Sequence, residues 1–459
     1  MKINFIHFIF LIDFLTHYLI KTEIVFVFEQ FRNGVYEYNS LGEELEKQKA
    51  NLNLVDKKIS PSSIRSFYLL GLYIREKYKN IINKKITSKN VFIFSKELDI
   101  HVLSAQSQLL GMFPLEEGIL LNQIEIDLAF PQTAIPLEAQ EEINQLGSLS
   151  VPKTIKPFAL RYFSDEEKQH LLSINDECPR LTKIKEQNSK DEFFKKEMKD
   201  FNDKHGEELL FLFKISNRTL IEDYNYLSKI IDHYIGYYVT KQYLNNDNNK
   251  NNYNLDKLNL LYKDCIDFRN KSFIYVEATP DISIISMSSS LKSLIRFMEE
   301  RIAYDQDYDE HSTEIKDDRT PKFVIYSNNG LSLYYLQIFL KKAFDISLKY
   351  PDFSSNQFIE LHRKDGIPYK ELKEDDYHVE YYFNGELILK INFVDFKNKI
   401  SELEWSSRKI NNFCKHKSAN ILDHAFYFSL IFSVLIIVYS IFRTKQASDK
   451  LKNLIDDKF

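Results

Sequence analysis

Two short apolar runs in this chain each end in a polar turn that contains glycine. The first run is Ile24–Phe28, followed by "RNG" at 32–34, and the second is "PKFVIYS" at 321–327, followed by "NNG" at 328–330. Strands that alternate with helices predict an α/β fold with a mainly parallel sheet and flanking helices. Because ligands of such sheets bind at the carboxyl ends of the strands, we expect the two turns to face one crevice.

Other segments fit the same alternation of strands and helices. Ser60–Tyr78 is predicted to be a helix, because Ser60 is a good N-cap, Pro61 suits the first turn and basic residues collect toward the end. Two β-rich runs flank Asn384-Gly385, a strong turn dipeptide, and predict a hairpin. The other predicted elements are strands at 89–95 and 272–278 and helices at 102–110, 290–304 and 331–344.

The composition changes between about residues 131 and 262, where long, charged, helix-prone segments dominate. The asparagine-rich run at 245–254 is of low complexity and predicts a loop. We therefore expect an α/β core formed by 23–130 and 270–415, interrupted by a helical cap insertion over 131–269. The alternative is that the middle region simply continues the same domain.

Both ends of the chain suggest a membrane. Residues 1–22 carry Lys2 and then an apolar run, which predicts a signal peptide or anchor, although a buried first helix is the alternative. Residues 425–442 contain no charge and are long enough to span hydrocarbon, with basic residues following. These features predict a single-pass type I protein, with a luminal or extracellular domain and a cytosolic tail at 443–459. The alternative for the second segment is a very hydrophobic core helix.

The net charge and the cysteine spacing argue against some classes of partner and cofactor. The net charge of −5 over 459 residues gives no footprint for nucleic acid. None of the three cysteines, Cys178, Cys265 and Cys414, has CxxC spacing, which argues against a zinc site. We predict neither a metal site nor a cofactor. One disulfide with one free thiol is possible, and the pairing stays open. Sequons at Asn217 and Asn270 predict glycosylation if the domain is luminal.

Several motifs resemble, in order over most of residues 24–400, those of the histidine acid phosphatases, the branch of the histidine phosphatase superfamily with a helical cap. "VFVFEQFRNG" is similar to the strand that leads into RHGxRxP, and "SPSSIRSFYLLGLYIREKY" to the following helix. "SAQSQLLGMFP" is a specific match to the SAQxxLxGLFP motif. "YSNNGLSL", "YPDFSSNQFIEL" and "YFNGE" resemble the later YSxHDxxL, PPYASxxxFEL and YNGE motifs. The resemblance implies a phosphoglycerate-mutase-like core.

The resemblance also implies a chemistry that this chain lacks at most positions. In the family, the histidine of RHG attacks phosphorus, arginines and a second histidine hold the phosphoryl oxygens, and the aspartate of HD protonates the leaving group. Arg32 is the one phosphate-binding residue retained. The nucleophile falls on Asn33, two arginines on Tyr36 and Ile100, the second histidine on Asn329, and the proton donor on Gly330.

These replacements predict an inactive, membrane-anchored homologue, with a phosphorylated small molecule or a protein as its partner. Loss of a nucleophile costs on the order of 10⁶-fold in well-studied enzymes. The alternative is an acid phosphatase that works through unrecognised groups. His101 and Glu29 are the nearest substitutes, but we expect His101 to be a polar surface or loop residue and Glu29 to be a surface charge at a strand edge.

Overall fold

The fold is built on one seven-stranded sheet, seen in a computed structural model. It describes residues 22–35, 59–82, 90–96, 98–113, 121–128, 160–162, 178–239, 255–307 and 320–414, with isolated positions between 141 and 148 and between 433 and 446. The strand order is β3-β2-β4-β1-β5-β6-β7. The strands are β1 Thr22–Arg32, β2 Val91–Ser95, β3 Leu160–Tyr162, β4 Phe323–Asn328, β5 Asn356–Lys364, β6 Tyr377–Phe383 and β7 Glu386–Asn392.

The sheet is mixed, so the prediction of a mainly parallel sheet is wrong. Strands β3, β2, β4 and β1 pair in parallel, whereas β5, β6 and β7 are antiparallel to their neighbours. The short link between β6 and β7 explains part of this, because a two-residue turn can join only antiparallel strands. That turn is Asn384-Gly385, as predicted, and both residues have positive φ, at 47° and 82°.

Helices cover both faces of the sheet. Phe67 and Ile74 of α1 and Met112 of α2 pack on one face, and α9, α10 and α11 pack on the other. The helices are α1 Pro61–Lys77, α2 Asp99–Met112, α3 Gln123–Leu128, α4 Pro179–Ser189, α5 Glu192–Leu212, α6 Thr219–Glu222, α7 Tyr224–Val239, α8 Leu255–Ser272, α9 Pro280–Gln306, α10 Gly330–Phe344, α11 Phe393–Leu403 and α12 Ser407–Cys414.

Helices α1 and α2 cross at a pair of glycines. A Cβ on Gly71 would lie 2.0 Å from the carbonyl oxygen of Gln108, and one on Gly111 would lie 2.1 Å from that of Tyr68. Since both contacts are with backbone, only glycine permits this approach. Ser60 caps α1 as predicted, because its side chain accepts a hydrogen bond from the backbone N–H of Ser63.

Helices α5 to α8 form a second hydrophobic core, which runs from Phe194 to Val276. The predicted strand at 272–278 is wrong, because Phe273–Glu277 forms a π-helical turn after α8. Its burial explains this: Phe273 and Val276 are buried while Tyr275 is 49% exposed, a helical rather than an alternating pattern. The boundaries of the cap insertion stay a prediction.

A disulfide joins Cys178, at the start of α4, to Cys414, at the end of α12. The remaining cysteine, Cys265, is a buried free thiol in α8. The open question of pairing is thereby settled in the structure. The bond ties two segments that are 236 residues apart in sequence.

The predicted membrane-spanning helix over 425–442 is contradicted, and with it the single-pass type I topology. Among the described residues, no helix is long and apolar enough to cross a bilayer. Spanning hydrocarbon takes a continuous run of about 20 apolar helical residues, and the described positions of this segment are 433, 436 and 439–441. Most of 425–442, the predicted leader up to residue 21, the loop at 245–254 and most of the predicted tail lie outside the described residues.

Candidate functional site

The two polar turns come together at the carboxyl ends of neighbouring parallel strands. In the register of β1 and β4, Arg32 lies beside Asn328. The backbone N–H of Asn33 donates to the carbonyl oxygen of Asn328 at 2.8 Å. We call this place, formed by Arg32, Asn33 and residues 328–330, the strand-end crevice. Tyr36, the predicted second arginine position, lies outside the described residues.

Arg32 is buried and already occupied by partners from distant parts of the chain. Its Nη1 donates to the carbonyl oxygen of Pro351 at 2.7 Å. Its Cζ stacks 3.8 Å above the centre of the Phe353 ring. Its Nη2 lies 3.8 Å from Oδ1 of Asp232, which belongs to α7. The guanidinium is therefore held by the protein itself.

Asp232 shares its charge between two arginines. Arg269 of α8 binds it with two hydrogen bonds of 3.0 Å each. The same arginine reaches Glu277 at 2.7 Å and the hydroxyl of Ser272 at 2.9 Å. The positive charges of Arg32 and Arg269 thus lie against carboxylates from α7 (Asp232) and from the π-helical turn after α8 (Glu277). Nothing in the local sequence around Arg32 indicates these partners.

The two asparagines at the predicted histidine positions are satisfied by neighbouring groups. Asn33 is 4% exposed, and its amide donates to the carbonyl oxygen of Gly34 at 2.8 Å. Asn329 is the N-cap of α10, because its Oδ1 accepts from the backbone N–H and the hydroxyl of Ser332, both at 2.9 Å. These hydrogen bonds of Asn33 and Asn329 stabilise the backbone next to each residue.

Gly330, at the predicted proton-donor position, starts α10 against Arg32. A Cβ at this position would lie 3.1 Å from Cδ and Nε of Arg32 and 3.2 Å from Cζ. The backbone of Gly330 is not left-handed, because its φ is not positive, so backbone strain does not oppose an aspartate here. The obstacle is the guanidinium, which occupies the neighbouring space.

Ile100 and His101 lie in the first turn of α2, both 2% exposed, so the expectation that His101 is a surface or loop residue is wrong. Ile100 therefore offers an apolar wall where the resemblance places an arginine. Burial, helped by the charge of Lys96, lowers the pKa of His101 to about 3, so its imidazole is neutral. Its Nδ1 has no hydrogen-bond partner among the described residues. Its ring lies beside the strand-end crevice, because it is hydrogen-bonded to the backbone of Asn328.

Glu29 is fully buried, so the expectation of a surface charge is wrong. It lies in β1, which is central in the sheet and covered by helices on both faces. Its Oε2 accepts from the side-chain amide of Gln108 at 2.7 Å. Burial raises the pKa of this carboxyl to about 8, with the Gln108 hydrogen bond acting in the opposite direction.

One of the two sequons lies in a loop and the other in a helix. Asn217 precedes α6, and its side chain accepts hydrogen bonds from the backbone and hydroxyl of Thr219. Asn270 lies near the end of α8. Both residues are half-buried. Glycosylation at either one stays a prediction.

Two comparisons of the sequence with known proteins found matches. A family model of the histidine phosphatase superfamily (branch 2) matches residues 19–384. Human prostatic acid phosphatase is 24% identical over 127 residues, which are 28% of this chain and 33% of that protein. The chain thus matches about a third of the length of this curated relative.

Solved structures of phytases resemble the chain at low sequence identity. The Klebsiella sp. ASR1 phytase has a TM-score of 0.49 and 8% identity, covering 83% of this chain and 94% of that one. The Hafnia alvei phytase in complex with myo-inositol hexakis sulphate has a TM-score of 0.49 and 9% identity, covering 84% and 98%. The family match rests on the sequence, and by it this chain belongs to branch 2 of the histidine phosphatase superfamily.

Proposed function

We propose that this protein has lost phosphomonoesterase activity at the strand-end crevice and keeps the fold for a binding or structural role. The observation that carries the proposal is the engagement of Arg32 with Pro351, Phe353 and Asp232. A phosphate that reached this guanidinium would compete with the Pro351 carbonyl oxygen for Nη1 and would approach the Asp232 carboxylate. Like charges repel, so Asp232 opposes the approach.

The reacting groups are missing as well as the phosphate clamp. The amide of Asn33 is not a nucleophile, and its nitrogen already donates to Gly34. Gly330 offers no proton to a leaving group. Each lost charged hydrogen bond to phosphate removes roughly 1.5–3 kcal/mol of binding, and loss of the nucleophile costs on the order of 10⁶-fold in rate. Either loss alone accounts for inactivity.

A second candidate function is phosphate monoester hydrolysis through His101. The observation that favours it is the free Nδ1 of this neutral, buried imidazole, since a neutral imidazole can attack phosphorus. Against it stand the 2% exposure of the residue and the apolar neighbour Ile100. This candidate also requires Arg32 to leave its present partners.

The deciding experiment is a phosphomonoesterase assay of the purified chain across acid and neutral pH, with human prostatic acid phosphatase as the positive control. We expect no hydrolysis above the buffer rate. Asn33→Ala and His101→Ala test the two positions, and His233→Ala on α7 is the matched control. Hydrolysis that falls only with His101→Ala would establish the second candidate. Hydrolysis unaffected by all three variants would overturn both proposals.

The binding role is tested separately, by thermal shift against a phosphorylated small molecule. The probes are inorganic phosphate, inositol hexakisphosphate and a hexose phosphate. Because Arg32 is already paired, we expect inorganic phosphate alone to leave the melting temperature unchanged. A stabilisation by phosphate that Arg32→Gln abolishes would contradict the loss of the clamp. A protein partner is the alternative if no small molecule stabilises the chain.

A further inference from the structure

Two histidines and two glutamates meet on the antiparallel part of the sheet. Glu360 and His362 lie on β5, and His378 and Glu380 lie on β6. In the register of the two strands, His362 is opposite His378 and Glu360 is opposite Glu380. Because side chains alternate along a strand, all four point to the same face. We call them the His–Glu cluster.

The donor atoms of this cluster converge on the carboxylate of Glu380. Nε2 of His378 lies 3.1 Å from its Oε1, and Nε2 of His362 lies 3.4 Å from its Oε2. One donor atom from each of the three residues lies within 4.8 Å of the others. Oε2 of Glu360 lies 2.9 Å from Nε2 of His362 and is the nearest further donor.

We propose that the His–Glu cluster binds one zinc ion through His362, His378 and Glu380. Zinc bonds to imidazole nitrogen and carboxylate oxygen are about 2.0–2.2 Å long, so tetrahedral ligands lie roughly 3.3–3.5 Å apart. The separations of 3.1 and 3.4 Å, which run to the two different oxygens of Glu380, are close to that spacing. Imidazole with carboxylate is a donor set that suits zinc among the divalent ions. Glu360 or a water would complete the four ligands.

Binding requires a rearrangement around Glu380, whose Oε2 also accepts a hydrogen bond from the hydroxyl of Tyr382 at 2.5 Å. The two imidazoles are stacked, with centres 4.7 Å apart and planes 24° from parallel, so each ring must turn toward Glu380. Lys390, which lies 2.8 Å from Oε1 of Glu380, must leave, and its side chain is 56% exposed. Zinc takes Nε2 of His362, so the ring proton moves to Nδ1, where Thr22 Oγ1 at 3.4 Å can accept it.

The His–Glu cluster is mostly buried, which suits a zinc ion with a structural role and limited access to solvent. The side chains of His362 and Glu380 are each 8% exposed, and that of His378 is 15% exposed. On the other side, Glu360 is held by Lys77 at 2.7 Å and by the hydroxyl of Tyr78 at 2.6 Å. These bonds fix the strand face against the end of α1. The site is separate from the strand-end crevice, so its existence does not depend on the proposed function.

The test is zinc binding by the full chain after removal of metal with a chelator. Calorimetry should give one tight site per chain, with the affinity at least about tenfold lower in His362→Gln, His378→Gln and Glu380→Gln. Lys390→Met should tighten binding, because it removes the cation that competes for Glu380. His233→Gln is the matched control and should bind as the unmodified chain does. Circular dichroism checks that each variant is folded.

X-ray absorption of the unmodified chain with one equivalent of zinc needs no variant. We expect two imidazoles and carboxylate oxygen in the first shell. Failure of the chain to take up zinc would overturn the proposal and leave the cluster as an ion-pair network. A first shell with fewer than two imidazoles, or tight binding that survives all three ligand substitutions, would overturn it too.

Discussion

The contact of α1 with α2 and the strand-end crevice lie next to each other, but they differ in how far the family's motif residues are retained. At the helix contact, the residues that resemble the family motif are kept and pack. Ser104 of the "SAQ" motif accepts from the backbone N–H of Gly34 at 3.1 Å, and Ser63 accepts from that of Val35 at 2.8 Å. At the crevice, other residues stand where the family has its catalytic and phosphate-binding side chains. Asn33 and Asn329 bond to nearby backbone, and Ile100 is apolar and buried.

This difference teaches that a family motif contains two separable parts. One part fixes how backbone segments approach each other, and its loss would unfold the domain. The other part performs chemistry, and its loss has no necessary cost in stability. Charged groups that converge without a ligand repel each other, so their replacement removes an unfavourable term. Substitutions in the two regions can therefore be compared for their effects on stability and on activity.

The largest effect is expected at the helix contact, from Gly111→Ala. An exposed helical glycine gains about 1 kcal/mol on replacement by alanine, but here the new Cβ would lie 2.1 Å from the carbonyl oxygen of Tyr68. The helices would have to separate, and we expect a loss at or above the upper end of the about 1–3 kcal/mol that overpacking usually costs. Denaturant unfolding measures it, with the exposed Leu110→Ala on the same helix as control. A variant as stable as that control would show that the contact is not tight.

The second prediction concerns Glu29, which lies between the two regions on β1. Its folded pKa of about 8 exceeds the ordinary value of 4.5, so the folded state keeps a proton that the unfolded chain loses. This contribution to stability is fully present below pH 4.5 and is lost as the pH rises toward 8. The loss over that range is about 2–4 kcal/mol once some relaxation is allowed.

Glu29→Gln removes the titrating group and should therefore flatten the pH dependence. Unfolding curves at pH values on either side of this range provide the measurement, and the exposed Glu371→Gln is the control. We expect the variant to gain stability over the unmodified chain only at the higher pH. An equal slope in both proteins would mean that Glu29 is ionised in the folded state.

The sequence predicts the packing part of the fold better than the surroundings of the crevice. β1, α1 with its Ser60 cap, and the turn at Asn384-Gly385 depend on short-range signals, and they are confirmed. The strand predicted at 272–278 failed because an apolar run alone does not tell a strand from a helical turn. The antiparallel half of the sheet was missed because pairing between β1 and β5 joins residues more than 300 positions apart.

The surroundings of Arg32 could not be predicted for the same reason. Pro351, Phe353 and Asp232 approach it from segments about 200 or more residues away, and no spacing in the chain indicates this. Motif positions identify which group is missing, but the fold decides what fills the space. The His–Glu cluster is an intermediate case. Its alternation within β5 and β6 is visible in "ELH" and "HVE", but the pairing of the strands is not.

The third prediction is a small effect at the crevice, from Asn33→Ala. The substitution removes one local hydrogen bond, from the amide of Asn33 to the carbonyl oxygen of Gly34. Such a bond contributes about 0.5–1.5 kcal/mol, so we expect a loss of about 1 kcal/mol or less. Denaturant unfolding beside Gly111→Ala compares the two regions directly. A loss as large as that of Gly111→Ala would show that the crevice, too, is required for folding.

The smallest effect is expected from Asn33→His, which should not produce any phosphatase activity. The new imidazole would stand at the family's nucleophile position but would find no proton donor at Gly330 and an apolar wall at Ile100. Arg32 would still be held by Pro351 and Asp232. Phosphoryl transfer depends mainly on positioning and charge stabilisation, so the added nucleophile has no bound phosphate to attack.

A fuller reversion makes this prediction sharper. It adds to Asn33→His the four changes Tyr36→Arg, Ile100→Arg, Asn329→His and Gly330→Asp. The Gly330→Asp step is the hardest, because its Cβ would lie 3.1–3.2 Å from the Arg32 side chain and would push it away from Pro351. That same displacement would free the guanidinium for phosphate, so turnover is expected only in the combined variant. Turnover in Asn33→His alone would mean that Arg32 already exchanges its partners for phosphate, and the proposed loss of the clamp would be wrong.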